Sequence, residues 1–194
     1  MLLDHHLSKT ASADRNLMKE VQVILVNEKD EQCGEMGKIR AHEQGLLHRA
    51  FSVFIFNSKG EMLLQQRAFN KYHSGGLWSN ACCSHPSPGE KIIDTVQRRL
   101  KEELGFNTEV EKIFDFIYKA EVDNDFTEHE FDHVFAGVYD GLVVPDKMEV
   151  SDFCYKGMKK LKESMDSHPL KYTVWLQIAF PRVEQWWKNR FRKV

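Results

Sequence analysis

The stretch from Leu46 to Asn57 most constrains what this chain can fold into. Read as a strand, it places Phe51, Val53 and Ile55 on one face and Ser52, Phe54 and Phe56 on the other. Both faces are largely apolar, so the strand needs cover on each side and belongs at the centre of a sheet. N-S-K-G at 57–60 is a hairpin turn signal, and Glu61 to Arg67 is the returning strand.

A second constraint lies at 78–105, where W-S-N-A-C-C-S-H-P leads through a short turn into a helix from about Glu90 to Leu104. Ile92, Val96, Leu100 and Leu104 recur every four residues and give that helix one apolar stripe to bury. Arg99 and Glu103 share a face beside the stripe, and Gly105 supplies the stop. The remaining chain fits around these two elements. Residues 1–19 read as a polar, partly helical extension. Val21 to Val26 is a strand, Asn27 to Gly34 a turn, and Met36 to Arg40 a returning strand that brings Lys38 close to His42. Phe69 to Leu77 is a loop carrying Lys71 and His73. Val110 to Ala120 and Thr127 to Tyr139 are strands, the first with Phe114, Phe116 and Tyr118 on one face. Val143 to Asp146 turns at a proline, Phe153 and Tyr155 sit in a short strand, and Met158 to Met165 is a helix. Thr173 to Phe191 is helical, with Pro181 kinking or dividing it. Strands, helix, strands, helices in that order predict an α/β (α+β) fold, a mixed sheet flanked by helices.

At 194 residues the chain reads as one domain, long enough to bury roughly 70% of its unfolded surface without a disulfide or structural metal. A net charge of −2 argues against bulk nucleic-acid binding. No apolar run approaches the roughly 18 residues of a membrane span. The first residues lack a basic segment followed by an apolar one, so they do not read as a secretory signal. Cys33, Cys82, Cys83 and Cys154 show no disulfide spacing and read as thiols of a cytoplasmic protein.

Several constellations could carry chemistry. Glu128 and Glu130, two apart on a strand, point to one face and repel unless a cation lies between them; the alternative is a solvated edge face that Asp132 continues. His42, His48 and His85 are the candidates to complete a metal site, because neutral imidazole is a common transition-metal ligand. Three His with two Glu suit a five- or six-coordinate ion better than structural zinc. His5, His6, His73, His129, His133 and His168 are left unassigned, and strand parity turns His129 and His133 away from Glu128 and Glu130. Cys83, two residues before His85, is either an inert buried cysteine or an acid–base or nucleophilic thiol. Cys82 alternates to the other face and reads as core. Lys38, Arg67, Lys71 and Arg99 are surface charges or, together, a diphosphate clamp. Trp175 is core or a π-face cap over a cation. The basic, aromatic tail from Gln185 reads as an amphipathic surface helix, with membrane-surface contact the lesser alternative.

The helix resembles the Nudix box, G-x5-E-x7-R-E-U-x-E-E-x-G-U with U aliphatic: Glu90, Arg98, Leu100, Glu102, Glu103, Gly105 and Phe106 fit. Ser84 replaces the first glycine, and Arg99 replaces the first Glu of R-E-U, which argues against diphosphate hydrolysis. Those departures resemble the type I isopentenyl-diphosphate Δ-isomerases, a Nudix-fold family of isoprenoid biosynthesis. The likeness runs through G-L-L-H-R-A-F-S-V-F-I-F-N at 45–57, L-L-Q-Q-R at 63–67, W-S-N-A-C-C-S-H-P at 78–86, R-R-L-K-E-E-L-G at 98–105, Y-K-A at 118–120 and E-H-E at 128–130.

The resemblance implies a single Nudix-like catalytic domain over 1–194, a mixed β-sheet sandwiched between helices. It implies conversion of isopentenyl diphosphate to dimethylallyl diphosphate through a carbocation; the alternative is a Nudix hydrolase of a nucleoside diphosphate derivative. By the same resemblance His42, His48, His85, Glu128 and Glu130 hold one tightly bound Mn2+ or Zn2+. Glu103 and the backbone carbonyl of Cys83 hold a Mg2+ that bridges the substrate diphosphate. Lys38, Arg67, Lys71 and Arg99 bind that diphosphate, Cys83 and Glu130 flank the allylic unit, Tyr118 hydrogen-bonds near the carboxylate, and Trp175 caps the cation. The expected partner is this small diphosphate alone, with the protein a monomer.

Overall fold

β3 (His48–Phe56) takes the central place that its two apolar faces require. In a computed structural model that describes residues 21–191, it pairs along its whole length with β8 (Thr127–Val138), in parallel. Its other edge meets β1 (Gln22–Val26), β4 (Glu61–Arg67) and β6 (Cys82–Ser84), all antiparallel. β2 (Gln32–Gly37) extends the sheet beyond β1. β5 (Trp78–Ser79) and β9 (Val150–Gly157) flank β4, and β7 (Val110–Glu121) flanks β8. The extension expected over residues 1–19 lies outside the described residues.

Helices cover both faces. Phe51, Val53 and Ile55 pack with Val96, Leu100 and Leu104 of α2 (Ile92–Leu104). Phe54 and Phe56 pack with Leu161 of α3 (Met158–Ser167) and with Leu176, Phe180 and Val183 of α4 (Val174–Phe191). The expected mixed sheet between helices is therefore the observed one. Val96, Leu100 and Leu104 are fully buried, each stabilising the α2 face by about 1.5–3 kcal/mol. Gly105 ends α2 at φ 80°, where a Cβ would come within 2.5 Å of the Val144 carbonyl oxygen, so only glycine fits there.

Three local expectations are corrected. Met36 to Arg40 is not a strand: β2 stops at Gly37, where its pairing with Gln22 runs out, and Lys38–Glu43 coils into α1, which buries Ala41 and His42. α2 begins at Ile92 rather than Glu90, because the Glu90 carboxylate turns aside to accept from Arg98 and the Ser87 N–H. Pro181 does not divide α4. Trp175, Leu176, Ala179, Phe180 and Val183 are buried on both sides of it, and that burial outweighs the roughly 3 kcal/mol that an internal proline costs. No described helix is long and apolar enough to cross a membrane.

Candidate active site

Three neighbouring strands and one short helix bring the imidazoles and carboxylates to one place. The parallel register sets His48 opposite Glu130, and the antiparallel register sets Cys83 opposite Ser52. Glu128, Glu130 and Asp132 share the β8 face of Val134 and Ala136, the face that packs toward α3 and α4. His42 enters from α1. His42 Nδ1 lies 2.7 Å from the Lys38 carbonyl, and His48 Nδ1 lies 2.8 Å from the Leu46 carbonyl. A carbonyl can only accept, so each Nδ1 carries the hydrogen and each Nε2 presents a lone pair to the cluster.

One ligand atom from each of His42, His48, His85, Glu128 and Glu130 lies within 4.8 Å of the others. His85 Nε2 is 2.8 Å from Glu130 Oε1 and 3.1 Å from His48 Nε2. His42 Nε2 and Glu128 Oε2 stand 3.4 Å apart, and neither has a hydrogen-bond partner. Nitrogens converging on carboxylate oxygens, with buried atoms left over, form a set that protons alone do not satisfy. The same set matches the donors of a divalent transition metal.

The electrostatics agree. Burial, with His42 close by, lowers His48 to about 4; burial and Lys38 hold His85 well below the usual range. His48 and His85 are thus neutral, the ligating form. Burial opposes the Glu128 charge, but His42 and His73 against the carboxylate keep it well below the ordinary range. Burial and the Glu128 charge push Glu130 well up, so the two adjacent carboxylates divide one charge and one proton.

Beside the cluster is a cavity of about 30 Å³ whose walls include Cys83, Tyr118, Glu130 and Trp175. That is far below the roughly 300 Å³ at which ligand pockets begin, so the cavity as it stands is narrow. Tyr118 Oη donates to Glu130 Oε2 at 2.8 Å, and burial with the Glu130 charge raises the phenol so that it keeps its proton. Cys83 Sγ donates to Asn80 Oδ1 at 3.1 Å and lies 3.4 Å from Ser52 Oγ. Burial, with the Asp132 charge, pushes the thiol up, so Cys83 is protonated. Ser52 Oγ donates to Asp132 Oδ2 at 2.8 Å. Burial raises Asp132 to about 7, against the lowering effect of that bond.

Of the four expected cations, Lys38 and Arg67 line the cavity. Lys38 lies over the Tyr72 ring at 5.2 Å, and burial lowers its ammonium against the pull of Glu128. Arg67 donates to the His73 and Ser74 carbonyls and sits 5.2 Å from the Trp175 ring centroid. Lys71 and Arg99 stand outside the lining and share Glu149 as ion-pair partner. Arg99 also donates to Glu102 and Glu103 at 2.7 Å each. Glu103 is buried, takes a bond from Gln65 Nε2 at 3.2 Å, and lies beside Cys82 rather than in the cavity wall. Trp175 is both core and wall: it is 4% exposed and its Nε1 donates to Ser79 Oγ at 2.9 Å. Cys82 is core, as expected.

His73 and Asp132 are among the residues of the site that sequence reasoning passed over, with Ser52, Tyr72 and Asn80. His73 is buried with its Nε2 2.9 Å from Glu128 Oε1; it lies in an irregular loop, where no periodicity tells which way a side chain points. Asp132, read as continuing a solvated face, is fully buried. Its strand parity with Glu128 and Glu130 was the available signal. His129 and His133 do face away: His129 meets the Gly45 carbonyl and His133 pairs with Asp30.

A NUDIX domain family model matches residues 46–176. The chain is 49% identical to the isopentenyl-diphosphate Δ-isomerase of Burkholderia multivorans, over 84% of this chain and 93% of that protein. It is 48% identical to the isopentenyl-diphosphate Δ-isomerase of Serratia proteamaculans, over 79% of this chain and 86% of that protein. Among solved structures, a crystallised protein of Deinococcus radiodurans superposes with a TM-score of 0.64 at 18% identity, covering 76% of this chain and 90% of that one. A likeness at that identity is one of fold.

Proposed function

The chain belongs to the isopentenyl-diphosphate Δ-isomerase family of NUDIX-domain proteins, and from that premise we propose that Cys83 and Glu130 are its acid–base pair, working beside a five-ligand metal centre. The protein converts isopentenyl diphosphate to dimethylallyl diphosphate in isoprenoid biosynthesis. The observation that carries the assignment of residues is the convergence of His42, His48, His85, Glu128 and Glu130 within 4.8 Å, beside a cavity walled by Cys83, Tyr118 and Glu130.

The chemistry sets the requirements. Moving the double bond adds a proton at C4 and removes one from C2, passing through a tertiary cation at C3. Water would trap that cation, so the cavity has to be closed and dry when the substrate reacts. One of Cys83 and Glu130 gives the proton and the other takes one from the opposite side. Tyr118 Oη holds the Glu130 carboxyl at 2.8 Å, and Asn80 Oδ1 with Ser52 Oγ holds the Cys83 thiol. Trp175 offers a π face to the cation. His42, His48, His85, Glu128 and Glu130 would hold a divalent Mn2+ or Zn2+, whose positive charge would favour the carboxylate form of Glu130. Lys38, Arg67, Lys71 and Arg99 grip the diphosphate, and Glu103 with the Cys83 carbonyl would hold a Mg2+ whose charge would offset that of the diphosphate. In this reading the enzyme is a cytoplasmic monomer whose only partner is the small diphosphate.

The test is incubation with isopentenyl diphosphate and Mg2+ in D2O, followed by NMR. Cys83→Ala and Glu130→Gln each abolish deuterated dimethylallyl diphosphate while the fold and melting transition persist. Turnover retained in either variant removes that residue from the pair.

A further inference from the structure

We infer that Glu149 is the resident anion of the diphosphate subsite: it occupies Lys71 and Arg99 in the free protein and yields both when a diphosphate arrives. The inference rests on the reading that these two cations belong to that subsite.

Glu149 closes the turn between Asp146 and Val150, where its N–H and that of Val150 both reach the Asp146 carbonyl, at 3.0 and 2.8 Å. The turn is tied in two directions. Asp146 N–H donates to the Glu103 carbonyl at 3.0 Å, at the end of the helix that carries Arg99. The Glu149 carbonyl accepts from Ala68 N–H at 3.0 Å, at the root of the loop that carries Lys71. The backbone around Glu149 thus joins the two elements whose cations its side chain binds. Glu149 Oε2 pairs with Lys71 Nζ, and Oε1 lies 3.5 Å from Arg99 Nη2. The two cations against it hold the carboxyl below its ordinary range, against the effect of burial.

The other half of the rim is different. Among the described residues, neither Lys38 nor Arg67 has a carboxylate ion-pair partner; Arg67 is held by carbonyls and Lys38 by the Tyr72 ring. A phosphate reaching Lys38 and Arg67 adds contacts, whereas one reaching Lys71 and Arg99 has to displace Glu149. A ligand with one phosphate meets the open pair and gains little from the closed pair. A ligand with two spans both and carries enough charge to outcompete a single carboxylate. Glu149 therefore acts as a selectivity filter for diphosphate and keeps the 68–77 loop anchored until the ligand is in place.

The experiment is calorimetric titration of the holoenzyme with inorganic pyrophosphate plus Mg2+, and separately with inorganic phosphate. Two partly exposed ion pairs give way, so Glu149→Gln is expected to bind pyrophosphate about three- to tenfold tighter, with a smaller pyrophosphate-to-phosphate ratio than the parent protein. Glu149→Asp, which keeps the charge and the turn but retracts the carboxylate, falls between the two and serves if the Gln variant folds poorly. Arg99→Ala and Lys71→Ala weaken pyrophosphate. If those two leave pyrophosphate binding unchanged, the subsite itself is misassigned. If they weaken it while Glu149→Gln is unchanged or weaker, the subsite stands and the resident-anion role is overturned.

Discussion

The imidazole–carboxylate cluster and the cationic rim sit side by side, yet they are held in different ways. His48, Glu128 and Glu130 lie on neighbouring strands in fixed register, His85 follows directly on β6, and only His42 comes from a helix. The rim draws Lys38 from the start of α1, Arg67 from the end of β4, Lys71 from a loop and Arg99 from α2. The cluster leaves His42 Nε2 and Glu128 Oε2 without hydrogen-bond partners; in the rim, Arg67, Lys71 and Arg99 already grip carbonyls or carboxylates. A cation entering the cluster adds interactions to a prepared set. A diphosphate at the Lys71–Arg99 half of the rim exchanges existing ones. Sheet-borne preorganisation serves the chemistry, and a rim drawn from four separate segments, half of it already ion-paired, serves entry and release.

The largest break in that contrast comes from the acid–base pair. Cys83→Ala and Glu130→Gln are expected to lower turnover by about 10²–10⁴ or more, since each removes a proton-transfer group. For Cys83→Ala the tightly held metal stays, because the thiol is not among the five ligands. Elemental analysis beside the rate measurement separates chemistry from metal loss. Next is His48→Ala, which should cut metal affinity by more than about 100-fold, beyond what supporting outer-shell residues contribute. Pyrophosphate binding should change far less. If the two fall together, cluster and rim are one cooperative unit and the contrast fails.

How much of this was legible beforehand follows the same division. Glu128 and Glu130 could be paired on one face from strand parity alone, and the apolar faces of β3 announced the buried sheet that holds them. His42 could be named as a candidate ligand although Met36 to Arg40, leading into it, read as a strand; the helix that carries it depends on where β1 and β2 cease to pair. Asp132 obeyed the parity rule and was overlooked, because a third acid in a row reads as solvated until burial is known. His73 had no such rule, lying in a loop without period. Glu149 was invisible for a different reason: its partners are 78 and 50 residues earlier in the chain, and only tertiary structure brings β9's leading turn onto α2 and the 68–77 loop.

The pH dependence of the metal-free protein probes how fully the cluster is prepared. His48 is lowered to about 4 in the folded state by burial and by His42, against about 6.5 when unfolded. Below pH 6.5 the unfolded chain therefore binds the proton more readily, and stability falls as pH falls. The loss is about 2 kcal/mol by pH 5 and levels off below pH 4. Denaturant titrations of chelated protein between pH 7 and 4 measure it. His48→Gln, which removes this group, should show a shallower decline. An equal slope would mean that His48 is not the buried neutral imidazole described.

The smallest effect sharpens the comparison most cheaply, because it sets two adjacent arginines against each other. Arg98 reaches Glu90 and Glu102 on the outer face of α2, where its side chain is 43% exposed. Arg99, one residue on, is 21% exposed and turned toward Glu103 and Glu149. An exposed pair of this kind is worth about 0.2–1 kcal/mol, so Arg98→Ala should lower stability by no more than about 1 kcal/mol and leave pyrophosphate affinity unchanged. Arg99→Ala should weaken pyrophosphate and also lower stability by more than Arg98→Ala does, because it leaves the buried Glu103 carboxylate without its cation. Chemical denaturation and calorimetry on the two variants give four numbers. If Arg98 moves binding as much as Arg99 does, the rim extends around the helix and is not the inward-facing device that Glu103 and Glu149 mark out.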